Sequence, residues 1–316
     1  MNFRVWGTRR AGPGERTYGH KMGLVRGWAN VQSGRFNEEI PMSKSSATNS
    51  DWEIDEFDIP GYLSALDITP GPPSLGLLEQ LHRAHMFTFP FSNVEVLLGD
   101  HPGVKPATVG TQLVERRRGG YCFEHSQLFA AALETLGFSV RRALGRVRAL
   151  ASPRTHMTVL VDVDGVRYLC DPGFGFSVTG PIPLVEGAVR DEGDREFSIG
   201  RIEDEGWPLW AFQRDGEMEH VLDESTVHAA DVSMGHLKTS TDPESVFLNH
   251  LMVMKHTPEG HVTVTETGMT VRVPGKPTVQ ESLEPGQVVV NVRALGVALT
   301  DQEAEQLIQI VARLRG

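Results

Sequence analysis

A cysteine in the first half of the sequence stands where it could act as a nucleophile. Cys122 follows Gly119, Gly120 and Tyr121, and precedes a stretch of apolar residues at helical spacing. Glycines let the backbone turn sharply, and the start of a helix offers free N–H groups and a positive dipole end that favour thiolate over thiol. The same N–H groups can stabilise a tetrahedral oxyanion. We predict that Cys122 is a nucleophile; the alternative is a small, inert, buried cysteine.

A histidine and an aspartate are predicted to meet at one end of a hairpin. His156 opens the alternating segment His156–Asp162, and Asp171 follows the segment Val166–Cys170. Residues 163–165 between them predict a turn, so the two segments form an antiparallel hairpin that brings His156 beside Asp171. A carboxylate in that place fixes the imidazole tautomer while the other ring nitrogen faces a thiol. Taken singly, the two residues also suit a strand-end histidine and a turn-capping aspartate.

The elements that must position this trio fall into a helical part and a strand part. Residues 51–138 predict helices, because apolar residues recur at spacings of three and four in 59–66 and 75–82, and again between the glycine turn and Gly137. A further helical segment, Gln112–Arg118, leads into the glycine turn. We therefore expect the nucleophile to lie on a helical bundle.

The rest of the chain changes to a period of two. Residues 139–290 predict short strands separated by glycine and proline, an arrangement typical of a barrel or sandwich. Clear examples are Arg195–Ile202, Val246–Lys255 and His261–Val273. Thr300 and Glu303 then form a capping box that predicts a final helix.

The charge of the chain is divided unequally along its length. The 316 residues carry a net charge of −11, but residues 1–50 hold eight basic and three acidic residues. The remaining 266 residues therefore hold 22 basic and 38 acidic residues, a balance of −16. A body this acidic repels polyanions, which argues against general nucleic-acid binding, so any anionic ligand must be held by a local site.

Composition indicates a soluble globular protein of the cytoplasm. Hydrophobic residues make up 40% and charged residues 22% of the chain, which excludes collagen-like, coiled-coil and fully disordered classes. Cys122 and Cys170, the two cysteines, are too few to staple a domain of this size in an oxidising compartment. No apolar run approaches the length of a membrane-spanning helix, so we expect no membrane partner.

The first fifty residues show no sustained helical or strand period. Glycines and prolines interrupt them, and the polar stretch Ser43–Ser50 is typical of a linker. Three interpretations stay open for residues 1–50: translation that begins at Met42, a disordered tail, or a targeting signal. The folded unit is expected to begin near Asp51.

At the residues described above, the sequence resembles the arylamine N-acetyltransferases. The cysteine, histidine and aspartate motifs and two flanking segments carry the resemblance. They are RGGYCFE (Arg118–Glu124), THM (Thr155–Met157), DPGFG (Asp171–Gly175), FPFSNVEVLLG (Phe89–Gly99) and STDPESVF (Ser240–Phe247). The combination is much more specific than any one motif, and it covers about residues 51–316.

The resemblance implies an α+β fold with a cysteine-protease-like catalytic core. After residues 1–50, it implies a helical bundle over 51–138 that carries the nucleophile. A β-barrel over 139–235 would carry the histidine and aspartate, and 236–316 would form an α/β lid that ends in a helix. Arg118 is expected to pair with a carboxylate and so hold the loop before Cys122.

The resemblance also implies ping-pong acetyl transfer. Cys122 would take acetyl from acetyl-CoA as a thioester, CoA would leave, and an arylamine, arylhydrazine or arylhydroxylamine would attack the thioester. His156 would pair with Cys122 as imidazolium and thiolate, and Asp171 would orient it. Five residues would line the pocket shared by CoA and the amine: Phe91, Thr155, Phe174, Gly175 and Phe247.

Alternative functions keep the trio but change the reaction. One is an amide synthase that releases a polyketide as a macrolactam; others are a Cys-His-Asp hydrolase and an inactive ligand-binding homologue. A zinc site would need Cys122, His125, His156 and Cys170, whose spacing lacks the close pairs typical of zinc ligands, so we expect no metal. We expect a monomer or homodimer.

Overall fold

The structure is a computed structural model that describes residues 51–316. The predictions for residues 1–50 lie outside the described residues. Within 51–316, no helix has both the length and the apolar character needed to cross a membrane.

The described chain begins with helices. They are α1 (Ile59–Ala65), α2 (Leu75–Thr88), α3 (Val94–Leu98), α4 (Pro106–Gly110) and α5 (Cys122–Thr135), with the short strand β1 (Phe91–Ser92) between α2 and α3. Side chains cap the first two helices: Asp58 accepts a hydrogen bond from Gly61 N, and Ser74 accepts one from Leu77 N. Helix α5 ends as predicted, with Gly137 in the left-handed conformation just beyond it.

An antiparallel sheet of eight strands follows. Its strands are β2 (Ser139–Val147), β3 (Arg154–Val163), β4 (Val166–Cys170), β5 (Ile182–Pro183), β6 (Val189–Asp191), β7 (Glu196–Asp204), β8 (Trp207–Arg214) and β9 (Glu217–Leu222). They lie in the order β5-β4-β3-β2-β9-β8-β7-β6. The sheet curls so that Ile182 near one edge joins Phe197 and Phe212 near the other edge in one apolar core.

The last part combines helices with a second sheet. Its elements are α6 (Ala229–Thr241), α7 (Val246–Asn249), β10 (Val253–Thr257), β11 (Gly260–Thr265), β12 (Gly268–Arg272), β13 (Val279–Ser282), α8 (Pro285–Ala294) and α9 (Asp301–Leu314). The sheet order β1-β10-β11-β12-β13 adds strand β1 from the helical part at one edge. The boundary expected between residues 235 and 236 falls inside α6, and the division into domains stays a prediction.

Packing places the start of α5 beside the start of β3. Leu128, Phe129 and Leu133 of α5 share one buried core with Val159 and Val161 of β3. Because the apolar face of α5 is fixed on the sheet in this way, its first residue lies at the edge where the β3–β4 hairpin opens. The α+β class predicted from the sequence is confirmed.

Two predicted strands are different elements in the structure. Val246–Lys255 contains helix α7 and only then strand β10, because Ser245 caps the helix by accepting a hydrogen bond from Phe247 N. His261–Val273 is not one strand but the hairpin β11–β12. Its threonine and valine residues alternate on both sides of the turn, so the pattern alone could not reveal where the chain reverses.

One helix prediction and two strand predictions also need correction. The segment Gln112–Arg118 is helical only to Glu115, as a π-helical turn, and positive φ angles at Arg117 and Gly119 end it. Helices α6 and α8 replace strands expected before residue 290. Helix α6 buries few side chains and so lacks an apolar stripe, whereas the valines of α8 favour strands in sequence although Pro285 starts a helix there.

Candidate active site

Cys122 is the first residue of α5 and is held by a tight glycine turn. Gly119 has a φ of 69°, and a Cβ atom on it would lie 2.6 Å from the carbonyl oxygen of Pro90. Only glycine fits there without moving the backbone. Tyr121 N donates a hydrogen bond of 3.2 Å to the Glu124 carboxylate. The turn therefore presents Cys122, which is 4% exposed, at a fixed helix start.

The predicted hairpin is confirmed, and it brings His156 and Asp171 together. Val159 of β3 pairs with Cys170 of β4, and the chain turns at Asp164 and Gly165. His156 Nε2 lies 2.8 Å from Asp171 Oδ1, and both residues are buried.

The thiol lies next to the histidine. Cys122 Sγ is 3.5 Å from the carbonyl oxygen of Thr155, the residue directly before His156. Burial by itself would lower the pKa of His156, but the Asp171 carboxylate and a hydrogen bond that the ring donates to Cys122 raise it above its ordinary value. Since Nε2 faces Asp171, Nδ1 is the ring nitrogen left for the thiol. The structure thus brings together all three residues of the predicted trio.

Asp171 is stabilised as a carboxylate from several sides. Burial would raise its pKa, but the charge and hydrogen bond of His156 and the nearby ring of His220 lower it below the ordinary range. Ser177 Oγ donates a hydrogen bond of 2.9 Å to Asp171 Oδ2. His220 Nε2 lies 3.4 Å from the same oxygen. His220 was not predicted, because a histidine within strand β9 carries no sequence signal that connects it to Asp171.

The loop after Asp171 lies directly on the cysteine. A Cβ atom on Gly173 would lie 2.6 Å from Cys122 Cα, so only glycine allows this approach. The ring centroid of Phe174 is 4.9 Å from that of His156. Gly175 has a φ of 86° and no room for a Cβ, which would lie 2.9 Å from Met254 Sδ.

The five predicted pocket residues occupy different places. Thr155 lines a cavity of about 350 Å³ between the start of β3 and helix α6. Phe91 and Gly175 line a second, much smaller cavity. Phe247 packs on Phe91, with ring centroids 6.2 Å apart, and Phe174 packs on His156. Their role in binding stays a prediction.

Arg118 pairs with carboxylates, as predicted. Its guanidinium contacts Glu95 of α3, and its Nη2 lies 2.7 Å from Glu303 of α9. Its Nη1 also donates to the carbonyl oxygen of Ala298. Arg118 therefore joins the turn before Cys122 to two helices, and Glu303 serves both this pair and the capping box of α9.

A buried chain of hydrogen bonds supports the same turn from within the helical part. Tyr62 Oη lies 2.8 Å from His85 Nδ1, His85 Nε2 lies 2.7 Å from His125 Nδ1, and His125 Nε2 lies 3.1 Å from Gly120 O. Because a carbonyl only accepts, His125 Nε2 donates to Gly120. Burial lowers the pKa of both histidines and keeps them neutral, so His85 donates to His125 and Tyr62 donates to His85. Burial lowers the pKa of His125 to about 4, in keeping with this. Of the three side chains in this hydrogen-bond chain, only His125 lies close to Cys122 in the sequence, one helical turn after it.

The four residues considered for a zinc site do not form one cluster of ligands. Cys170 is fully buried, and burial raises the pKa of its thiol. Among residues 51–316, the side chains near enough to share a metal ion are His156, Asp171 and His220, whose ligand atoms lie within 4.8 Å of one another. Cys122, His125 and Cys170 do not belong to that group.

Comparison with known proteins gives consistent results. Residues 74–298 match the family model described as N-acetyltransferase. The chain is 32% identical to the arylamine N-acetyltransferase / N-hydroxyarylamine O-acetyltransferase of Salmonella typhimurium over 71% of this chain and 85% of that protein. It is 34% identical to the arylamine N-acetyltransferase of Mycolicibacterium smegmatis over 69% of this chain and 84% of that protein.

Solved structures share the fold. The arylamine N-acetyltransferase from Mycobacterium abscessus superposes with a TM-score of 0.78 at 27% identity, covering 83% of this chain and 97% of that one. The Mycobacterium marinum arylamine N-acetyltransferase in complex with CoA superposes with a TM-score of 0.72 at 25% identity, covering 81% and 99%.

Proposed function

The chain belongs to the arylamine N-acetyltransferase family, and from that premise we propose that it moves acetyl from acetyl-CoA to an aromatic amine or hydrazine through a thioester on Cys122. The observation that carries the proposal is the single constellation of Cys122, His156 and Asp171 at the start of α5. Acetyl-CoA enters as the donor substrate.

The first half-reaction loads the enzyme. The Cys122 sulfur attacks the acetyl carbonyl carbon of acetyl-CoA, and a new C–S bond forms as the tetrahedral intermediate takes negative charge on oxygen. The free N–H groups and the positive dipole end at the start of α5 stabilise this negative charge. The C–S bond to CoA then breaks, and the CoA sulfur leaves with the proton that His156 held.

The second half-reaction delivers acetyl to the acceptor. The amine nitrogen attacks the thioester carbon, and His156 takes the proton that the nitrogen loses. The C–S bond to Cys122 breaks, which restores the thiolate beside the imidazolium. Asp171 keeps the ring in the tautomer and orientation that both steps require. A thioester suits this exchange because it forms readily from another thioester and reacts readily with amines.

The direct test follows the release of the CoA thiol by purified protein supplied with acetyl-CoA and an arylhydrazine. We expect release that depends on the arylhydrazine, and we expect Cys122→Ala to abolish it because no thioester can form. Cys170→Ala is the matched control, since that thiol lies outside the trio, and it should keep most of the activity. Full turnover by Cys122→Ala would show that Cys122 is not the nucleophile.

The alternatives raised by the sequence are less well supported. The relatives reported above are named acetyltransferases, which favours acetyl transfer over macrolactam synthesis, hydrolysis and loss of catalysis. A cytoplasmic location and a monomeric or homodimeric state stay predictions.

A further inference from the structure

Three arginines surround one phenylalanine beyond the catalytic trio. The guanidinium carbons of Arg195, Arg214 and Arg272 lie 4.3, 4.6 and 5.1 Å from the ring centroid of Phe176. Arg195 and Arg214 come from the region of β7 and β8, whereas Arg272 ends β12. This cluster, called the Phe176 cluster below, therefore lies where the two sheets meet.

Carboxylates neutralise this charge only in part. Arg195 pairs with Asp194 at 2.7 Å, and Arg214 pairs with Glu219. Arg272 donates only a long hydrogen bond of 3.5 Å to Thr263 Oγ1, and within the described part of the chain no carboxylate forms an ion pair with it. Burial and the neighbouring Arg214 lower the pKa of Arg272, as expected for uncompensated positive charge. Arg272 thus leaves one positive charge without a carboxylate partner in a region of strongly negative net charge.

Buried polar atoms in the same place lack partners. His256 and His261 are 3% and 0% exposed, and the His261 ring centroid lies 4.2 Å from that of Phe176. His256 Nε2, His261 Nδ1 and Arg195 Nε have no hydrogen-bond partner among residues 51–316. Leaving buried polar groups unpaired is costly, so the Arg195 Nε–H group is incomplete without a further group that accepts a hydrogen bond. The His261 ring differs, because its Nε2 donates to the Gly175 carbonyl and its Nδ1 is left as an acceptor.

The cluster shares a loop with the proposed active site. Gly173 of that loop touches Cys122, and Ser177 binds Asp171. Phe176 lies between them in sequence, and its carbonyl oxygen accepts a hydrogen bond of 3.1 Å from Arg214. One loop therefore contacts both the thiol and the arginines.

We propose that Arg195, Arg214 and Arg272 hold a phosphate group of the acyl-CoA donor while its thioester reaches Cys122. The inference rests on the proposed function, because acyl-CoA carries its thioester and its phosphates at opposite ends of the pantetheine arm. Guanidinium groups bind phosphate through charge-assisted hydrogen bonds and fit it better than lysine does. The site explains how an acidic protein binds an anionic donor.

The test compares donors with and without phosphate. Arg272→Gln should lower kcat/KM for acetyl-CoA by about tenfold or more, because one charged hydrogen-bond donor to phosphate is lost. With p-nitrophenyl acetate, which has no phosphate, the same variant should match the unmodified protein, and this also shows that it is folded. Arg201→Gln is the matched control: Arg201 likewise stacks on an aromatic ring, that of Trp210 at 3.9 Å, but lies outside the cluster.

The outcomes separate this inference from the proposed function. An equal loss with both donors, or no loss with acetyl-CoA, overturns the phosphate site while leaving acetyl transfer intact. Failure of the unmodified protein to use acetyl-CoA overturns both. Acetyl-dephospho-CoA identifies the phosphate: a defect that persists assigns the pyrophosphate to the cluster, and a defect that disappears assigns the 3′-phosphate.

Discussion

Asp171 is the residue on which the geometry of the trio depends most. One of its oxygens binds the imidazole of His156, and the other receives Ser177 Oγ and faces His220. A buried carboxylate is stable only with such partners. The same contacts that keep Asp171 charged also fix the direction in which His156 faces the thiol. The contacts that stabilise the buried carboxylate therefore also orient the imidazole for proton transfer.

Replacing that carboxylate by an amide tests its role at constant size. Asp171→Asn should lower kcat/KM by about 10²- to 10⁴-fold, because the amide no longer stabilises the imidazolium or selects its tautomer. Steady-state kinetics with acetyl-CoA and an arylhydrazine measure the loss. Ser177→Ala is the control, since it removes only a neighbouring hydrogen bond and should cost about tenfold or less. Unchanged kinetics for Asp171→Asn would show that His156 needs no carboxylate.

At the scale of elements, buried neutral histidines of the helical part hold the turn before Cys122. The hydrogen bonds from Tyr62 through His85 and His125 to Gly120 connect α1, α2 and α5 to the residues before Cys122. Burial lowers the pKa of His125 to about 4, so it stays neutral in the folded protein at pH values where an unfolded histidine is protonated. The helical part is therefore sensitive to acid.

This sensitivity has a definite sign. Below pH 6.5 the unfolded chain takes up a proton at His125 that the folded chain refuses until about pH 4, so the free energy of unfolding falls as the pH falls through this window. His125→Gln keeps an acceptor and a donor but cannot titrate. As the pH falls from 6.5 towards 4, the free energy of unfolding of the variant should fall less steeply than that of the unmodified protein. The difference between the two slopes should be about 1.4 kcal/mol per pH unit. Urea unfolding at pH 7, 6 and 5 measures both slopes; equal slopes would contradict a buried, neutral His125.

Some elements are easier to predict from the sequence than others. Helix α5, the β3–β4 hairpin and the capping box of α9 were predicted, because each carries its signal locally: a glycine stop, a turn between alternating segments, a Thr–Glu pair. Helix α7 and the β11–β12 hairpin were missed, since similar alternating residues run through both. His220 and the Phe176 cluster depend on contacts between distant strands, which no local pattern encodes.

At the scale of the molecule, the net negative charge of residues 51–316 contrasts with a few local groups of arginines. The region 51–316 has a net charge of −16, yet three of its arginines surround Phe176 and Arg118 holds the turn before Cys122. Long-range repulsion of anions and local attraction act at different distances, so the proposed arginine cluster would bind a donor that the protein as a whole repels. Such a site would select its ligand through the positions of its arginines rather than through long-range electrostatic attraction.

The central claim is that Cys122 carries acetyl between donor and acceptor, and intact-protein mass spectrometry tests it most directly. After incubation with acetyl-CoA alone, the protein should gain the mass of one acetyl group, and peptide mapping should place it on Cys122. Addition of an arylhydrazine should remove it and yield the acetylated hydrazine. An unmodified protein under turnover, or acetyl found on Cys170 with Cys122 free, would contradict the account.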